Sequence, residues 1–189
     1  RTSPTNMGLA LLANLSAYDF GYISTGRLLD RTARAFQTMR TMERHRGHFF
    51  NWYDTQSLVP LEPRYISSVD SGNFAGHLLT LRPGLLGLVG EPILPARFLS
   101  GLRDTLDLVL DAPPGPAAAM LARLRKGLDA ACDSPPTTIV DSRCLLERLS
   151  ADSQALAAMQ ATGPDHSAGP WAAAVTDQCH DLLGDLAHL

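Results

Sequence analysis

Apolar residues recur along most of the chain at the three-to-four-residue spacing of an amphipathic helix. The first such run covers about Thr5 to Tyr18, where Met7, Leu11, Leu15 and Tyr18 fall at helical spacing, and Gly21 ends it. A second starts at a Ser24 or Thr25 cap and carries Leu28, Leu29, Thr32, Phe36, Met39 and Met42 along one side, with Arg27, Arg31, Arg34 and Arg40 largely elsewhere. Between Arg44 and Ser68 the helical period stops. Phe49 to Tyr53 and Tyr65 to Val69 read as short extended segments around a loop holding Pro60 and Pro63, which predicts a short hairpin or extended loop near 44–69. Asp70 or Ser71 then caps a helix running through Leu78 and Leu81 to Gly84. Four more helices are predicted at about 95–111, 116–132, 142–161 and 169–187, punctuated by Pro113 to Pro116, Pro135 and Pro136, and Gly163 and Pro164. The pattern predicts an all-α chain of antiparallel helix pairs, either a bundle or part of an α/α toroid.

Composition narrows the function classes. At 189 residues, 45% hydrophobic and 19% charged, the chain is long enough for one real core and is neither disordered nor fibrous. We treat 1–189 as a single partial domain, because it begins at Arg1 rather than Met and its helices are about half those of a twelve-helix toroid. Sixteen basic residues against nineteen acidic, with no dense basic stripe, argue against nucleic acid and against direct contact with an anionic membrane. Cys132, Cys144 and Cys179 lack the paired spacing of a zinc site and read as reduced thiols in a cytosol-like compartment. Ten of the twelve aromatics precede residue 80, so chemistry is expected in the first part, 1–85, and helical scaffolding in 86–189.

Within that first part, residues 43–55 (ERHRGHFFNWYDT) gather carboxylates, imidazoles, guanidinium, amide and aromatic faces where the helical pattern breaks off. Sugars need such a mixture: hydroxyls take fork-like hydrogen bonds from Asp, Asn, Arg and His, and the apolar ring face stacks on Trp or Tyr. Arg46, His48, Asn51, Trp52 and Tyr53 are therefore candidate sugar-binding residues, as are Ser71 and Asn73 beside Asp70. The same residues also fit core anchoring and helix capping, and residue types alone leave both readings open. Glu43, Asp54 and Asp70 are candidates for the carboxylate pair of glycosidic chemistry, in which one group protonates the leaving oxygen and another supplies or activates the nucleophile. A separation of about 5 Å implies retention and about 6.5 to 9.5 Å inversion. His45 and His48 with Asp54 are too weakly patterned to predict a metal, and no nucleophile elbow or phosphate-cradling glycine loop is present. His77, His166, His180 and His188 read as helix-surface or terminal residues.

Four strings in order, 1–9 (RTSPTNMGL), 18–23 (YDFGYI), 43–55 (ERHRGHFFNWYDT) and 65–78 (YISSVDSGNFAGHL), resemble the cyclic β-1,2-glucan synthases over about residues 1–85. Phe50 and Phe74 stand where that pattern would carry Tyr and Leu. The resemblance implies a very large bacterial inner-membrane protein, with this segment in its central, glucoamylase-like (α/α)6 toroid on the cytoplasmic face. It implies glucan-binding roles for Glu43, His48, Asn51, Trp52, Tyr53, Asp54, Asp70, Ser71 and Asn73, without saying which carboxylate is catalytic. It further implies partners in β-1,2-glucan and in other regions of the same polypeptide, no cofactor in this segment, and UDP-glucose used elsewhere in the parent. The expected activity is retaining transglycosylation that cyclises linear β-1,2-glucan. The rival expectation is a helical scaffold or glucan-holding module without chemistry of its own.

Overall fold

The computed structural model describes residues 1–110, 118–161 and 169–187. The turns expected at Pro113 to Pro116 and at Gly163 and Pro164, together with His166 and His188, lie outside the described residues. The chain is all-α apart from one tiny hairpin: α1 (Pro4–Asp19), α2 (Thr25–Thr41), β1 (Arg44–His45), β2 (His48–Phe49), α3 (Ser68–Gly87) with a 3-10 turn at Leu88–Gly90, α4 (Arg97–Leu110), α5 (Ala118–Asp133), α6 (Ile139–Ala161) and α7 (Gly169–Leu186). None of the helices, among the described residues, is long and apolar enough to cross a membrane. Contacts divide the chain into two compact units, one of Arg1–Ala17 and Leu28–Glu91, the other of Tyr18–Arg27 and Pro92–Leu189.

Local chemistry explains where the helices of the first unit begin and end. Ser3 caps α1 by accepting from the Asn6 amide at 3.3 Å, and Pro4, which has no amide to orphan, occupies the first helical position. The start of α3 differs from the expected Asp70 or Ser71 cap. Ser67 is the cap, in extended conformation, and its hydroxyl accepts from the Asp70 amide at 3.1 Å, so Asp70 falls in the first helical turn. Nor does α3 stop at Gly84. That glycine lies against α1, where a Cβ would sit 2.5 Å from Leu15 Cδ2, so its smallness serves close packing and the helix continues to Gly87. The hairpin pairs Arg44 with Phe49 and His45 with His48, and its two-residue turn puts Arg46 and Gly47 at φ +50° and +86°. Met7, Leu11, Met39, Met42, Phe49, Tyr53 and Leu81 form the core of this unit. On α2 the expected stripe holds at Leu28, Thr32 and Met39, but Leu29 points outward and is 48% exposed.

In the second unit α4 to α7 pack in sequence, α4 on α5, α5 on α6, α6 on α7, and α7 returns to α4. Leu102, Leu106, Leu124, Leu128, Leu156 and Val175 are sealed inside. Helix α6 starts at Ile139, a turn's breadth before the expected 142, because Thr138 accepts from the Asp141 amide at 3.0 Å and donates to its carboxylate at 2.6 Å. Between α6 and α7 the buried Thr176 hydroxyl contacts Ser153 Oγ at 2.8 Å and the Ala172 carbonyl at 3.1 Å, so this hydroxyl is satisfied inside the core. The three cysteines are free, and burial pushes the Cys179 thiol up to about 12, which leaves it inert. Truncating a sealed leucine should expose the scale of this packing: Leu128→Ala is expected to destabilise the second unit by about 2 to 5 kcal/mol in urea unfolding.

Candidate functional site

The chemistry-bearing residues of the first unit sort into one connected network and several local structural roles. The network is centred on Asp70, half-buried in the first turn of α3. Its Oδ1 accepts from the Thr5 hydroxyl on α1 at 2.6 Å, and Thr5 Oγ1 in turn accepts from the Asn73 amide at 3.2 Å. Asn51, 95% buried, joins from the loop. With its amide oriented to satisfy both neighbours, the nitrogen donates to Asp70 Oδ2 at 3.1 Å, and the oxygen accepts from Trp52 Nε1 at 2.5 Å and the Tyr65 hydroxyl at 2.6 Å. The Asn51 backbone amide also donates to the Tyr65 carbonyl at 2.9 Å. Three stretches far apart in sequence thus converge on one carboxylate. Hydrogen bonds, with the Thr5 hydroxyl foremost and the Ser67 hydroxyl next, hold the Asp70 carboxyl below the usual carboxylate range.

The close approach of α1 and α3 that brings Thr5 to Asp70 depends on Gly8. One turn beyond Thr5, a Cβ at Gly8 would collide with the His77 ring, one turn beyond Asn73 on α3. His77, expected on the helix surface, is instead half-buried in this contact, and its Nδ1 has no hydrogen-bond partner among the described residues. Trp52 is half-buried, with the Arg1 guanidinium 4.6 Å from its ring centroid.

The other candidates lie outside this network. Tyr53 belongs to the core: it is 0% exposed, its hydroxyl donates to the Glu43 carbonyl at 2.7 Å and accepts from the Phe50 amide at 2.8 Å, and its backbone pairs with Thr2 at 2.9 Å in both directions. Burial raises the pKa of its phenol. Asp54 closes its own loop, with Oδ1 accepting from the Gln56 and Ser57 amides at 3.0 and 2.7 Å and from the Ser57 hydroxyl at 3.0 Å, which lowers its pKa. Glu43 is exposed and ion-paired with Arg64 at 3.2 Å. Arg46 and His48 stand exposed on the hairpin, and Ser71 is half-buried one residue past Asp70. Among the described residues no group of three His, Cys, Asp or Glu side chains is placed to hold a metal. Thr5 and Tyr65 are the network members the sequence reading did not single out as site residues. Both lie in the quoted strings, Thr5 at the start of the first helical run and Tyr65 in an extended segment.

The chain is similar to cyclic β-(1,2)-glucan synthase NdvB of Rhizobium meliloti (strain 1021). The two are 52% identical over 81 residues, which is 43% of this chain and 3% of the relative. No protein-family profile matches the chain. The resemblance to the cyclic β-1,2-glucan synthases therefore holds, over a small part of a much longer relative.

A titration tests the network directly. Thr5→Val removes the strongest hydrogen bond to Asp70, so its carboxyl is expected to move back up toward the ordinary 3.8 when followed by carboxyl carbon NMR. Because the folded-state value is depressed, the stabilisation from Asp70 is fully present above that ordinary value and is lost as pH falls through the lowered one. Thr5→Val should therefore flatten the acid limb of the stability profile below about pH 4.

Proposed function

We propose that this chain is a glucan-binding region of a cyclic β-1,2-glucan synthase, taking part in retaining transglycosylation that cyclises linear β-1,2-glucan. The observation that carries the reading is the Asp70–Asn51–Trp52 arrangement. It places a carboxylate held anionic, a buried amide and an oriented indole side by side, in a chain that is similar to such a synthase over 81 residues. Asp70 accepts from Thr5 on Oδ1 and from Asn51 on Oδ2, and a sugar hydroxyl would join these donors on the half-buried carboxylate. Trp52 offers apolar ring surface to a pyranose while its N–H is satisfied by Asn51. Asn73 and Ser71 flank the carboxylate from the first turns of α3, and His48 and Arg46 reach outward from the hairpin as further polar contacts.

Hydrogen-bond partners divide the roles among the carboxylates. A carboxyl with a depressed pKa stays ionised at neutral pH, which suits a nucleophile or a hydroxyl-orienting acceptor and opposes service as a general acid. Asp70 is therefore proposed as the carboxylate that meets the glucan, with the proton donor supplied by another group of the larger enzyme. Asp54 and Glu43 shape the loop that carries Asn51 and Trp52. The same assignments extend the proposal to the parent protein: a membrane-anchored enzyme with this segment at the cytoplasmic face of the inner membrane, contacting other regions of its own polypeptide, and with UDP-glucose handled elsewhere.

A second reading, a glucan-holding module without chemistry, is favoured by one observation: two of the three candidate carboxylates are engaged by their own loop. Isosteric variants separate the two. In the full-length enzyme, Asp70→Asn is expected to lower transglycosylation, followed by mass spectrometry of cyclic products, by on the order of 100-fold or more with glucan binding retained. Glu43→Gln and Asp54→Asn should stay within a few-fold of the parent. Turnover preserved in Asp70→Asn with binding weakened would sink the catalytic reading in favour of the holding module.

A further inference from the structure

The two side-chain arms of the Asp70 network both point their hydrogens toward the carboxylate. One runs from the Asn73 amide to the Thr5 hydroxyl and on to Oδ1; the other runs from the Trp52 indole and the Tyr65 hydroxyl to the Asn51 amide and on to Oδ2. The members differ in whether they can reverse. A hydroxyl donates or accepts, so Thr5 and Tyr65 follow their neighbours, whereas an indole N–H only donates and an ionised carboxylate only accepts.

Asn51 stands between those two one-way groups. With its oxygen on Trp52 Nε1 at 2.5 Å and its nitrogen on Asp70 Oδ2 at 3.1 Å, both ends match. Turned over, the amide would set N–H against N–H at the indole and oxygen against oxygen at the carboxylate. Asn51 is 5% exposed, so little water reaches it to relieve either mismatch. Tyr65 does not choose between the two orientations, because its hydroxyl, 2.6 Å away, serves either one. The indole N–H is therefore the fixed end of this arm. Thr5 and Ser3 from the start of α1, and Ser67 from the start of α3, also bond to the Asp70 side chain. His77, the titratable group elsewhere in the α1–α3 contact, faces Gly8, and the Arg1 guanidinium lies over the Trp52 ring.

We propose that Trp52 is a positioning residue for Asp70: its indole N–H locks the Asn51 amide so that a donor, and not an acceptor, faces Oδ2. A proton on Oδ2 would meet that donor head-on, so the lock opposes protonation from this side. The catalytic consequence rests on the glucan reading given above, while the lock itself rests on geometry alone. Two replacements remove the N–H: Trp52→Phe, which keeps an aromatic ring, and Trp52→benzothienylalanine, which keeps both fused rings with sulfur in place of nitrogen. In the full chain, carboxyl carbon NMR is expected to show Asp70 titrating about half a unit or more higher in both, with shifted Asn51 side-chain amide signals. In the unmodified chain the Trp52 indole N–H signal is expected to step at the Asp70 midpoint, while that of Trp171, 44% exposed on α7, does not. In the full-length enzyme the isostere is expected to move the acid limb of transglycosylation to higher pH by the same shift, with glucan affinity held within about two-fold. An Asp70 titration unchanged in both variants, or an indole signal without the step, overturns the lock and leaves the glucan reading standing. A shift with Trp52→Phe that the isostere does not reproduce assigns the effect to ring bulk and overturns the lock equally. If the carboxyl shifts as expected while added glucan moves no signal of the chain and the acid limb stays in place, the lock stands and the glucan reading falls. Should Trp52→Phe lose the helical circular dichroism of the parent, the isostere and the indole signal of the unmodified chain decide the matter.

Discussion

The packing distance between α1 and α3 is the constraint on which the rest of the first unit depends. Thr5, Gly8 and Leu15 on one helix meet Asp70, His77 and Gly84 on the other, advancing together along both. Two of these three meetings leave no room for a side chain on one partner, so the spacing is set by glycine and cannot relax outward without opening the interface. With the helices held there, a threonine hydroxyl lies within hydrogen-bond reach of a carboxylate 65 residues away. The loop that follows the hairpin then docks onto that carboxylate through Asn51, and Trp52 and Tyr65 dock onto Asn51. Polar groups buried in this way are worth little net stability pair by pair, but any one left unmatched is costly, so the network acts as a condition on the fold as much as a contributor to it.

Beneath the network, Tyr53 does a different job. Its ring belongs to the core with Phe49 edge-on at 6.2 Å, while its hydroxyl bridges two backbone groups and its own backbone zips to Thr2. One residue therefore ties the N-terminal strand-like entry, the hairpin exit and the loop. The contrast with its neighbour Trp52, half-buried and turned toward Asn51, follows from the alternation of adjacent side chains in extended chain. Adjacent aromatics in sequence are thus divided between holding the site and furnishing it.

Much of the fold was legible because helical periodicity is a local property. The seven described helices fall where the apolar spacing puts them, and the break at residue 44 is where the hairpin begins. What failed to be legible depended on partners distant in sequence. Gly84 reads as a terminator until Leu15 is seen against it; Leu29 fits the apolar stripe of α2 yet faces out; Asp70 is as good a cap as Ser67 by composition, and only the extended backbone at Ser67 decides between them. The site shows the same division. The clustering of sugar-type residues in 43–55 and 67–73 was visible in the residue order, whereas the convergence of Asp70 with Thr5 and Asn51, and the diversion of Asp54 and Glu43 into loop closure, are tertiary facts that no spacing rule encodes.

The division of the chain into two compact units has an optical consequence. Of its two tryptophans, Trp52 lies in the first unit and Trp171 in the second. The first has its indole N–H hydrogen-bonded to Asn51 and a guanidinium over its ring, whereas the second is 44% exposed to water on α7. The chain therefore carries one native fluorophore per unit, in two different solvent environments. Aqueous quenchers reach Trp171 ahead of Trp52, so the loss of structure in each unit can be followed separately in the unlabelled protein.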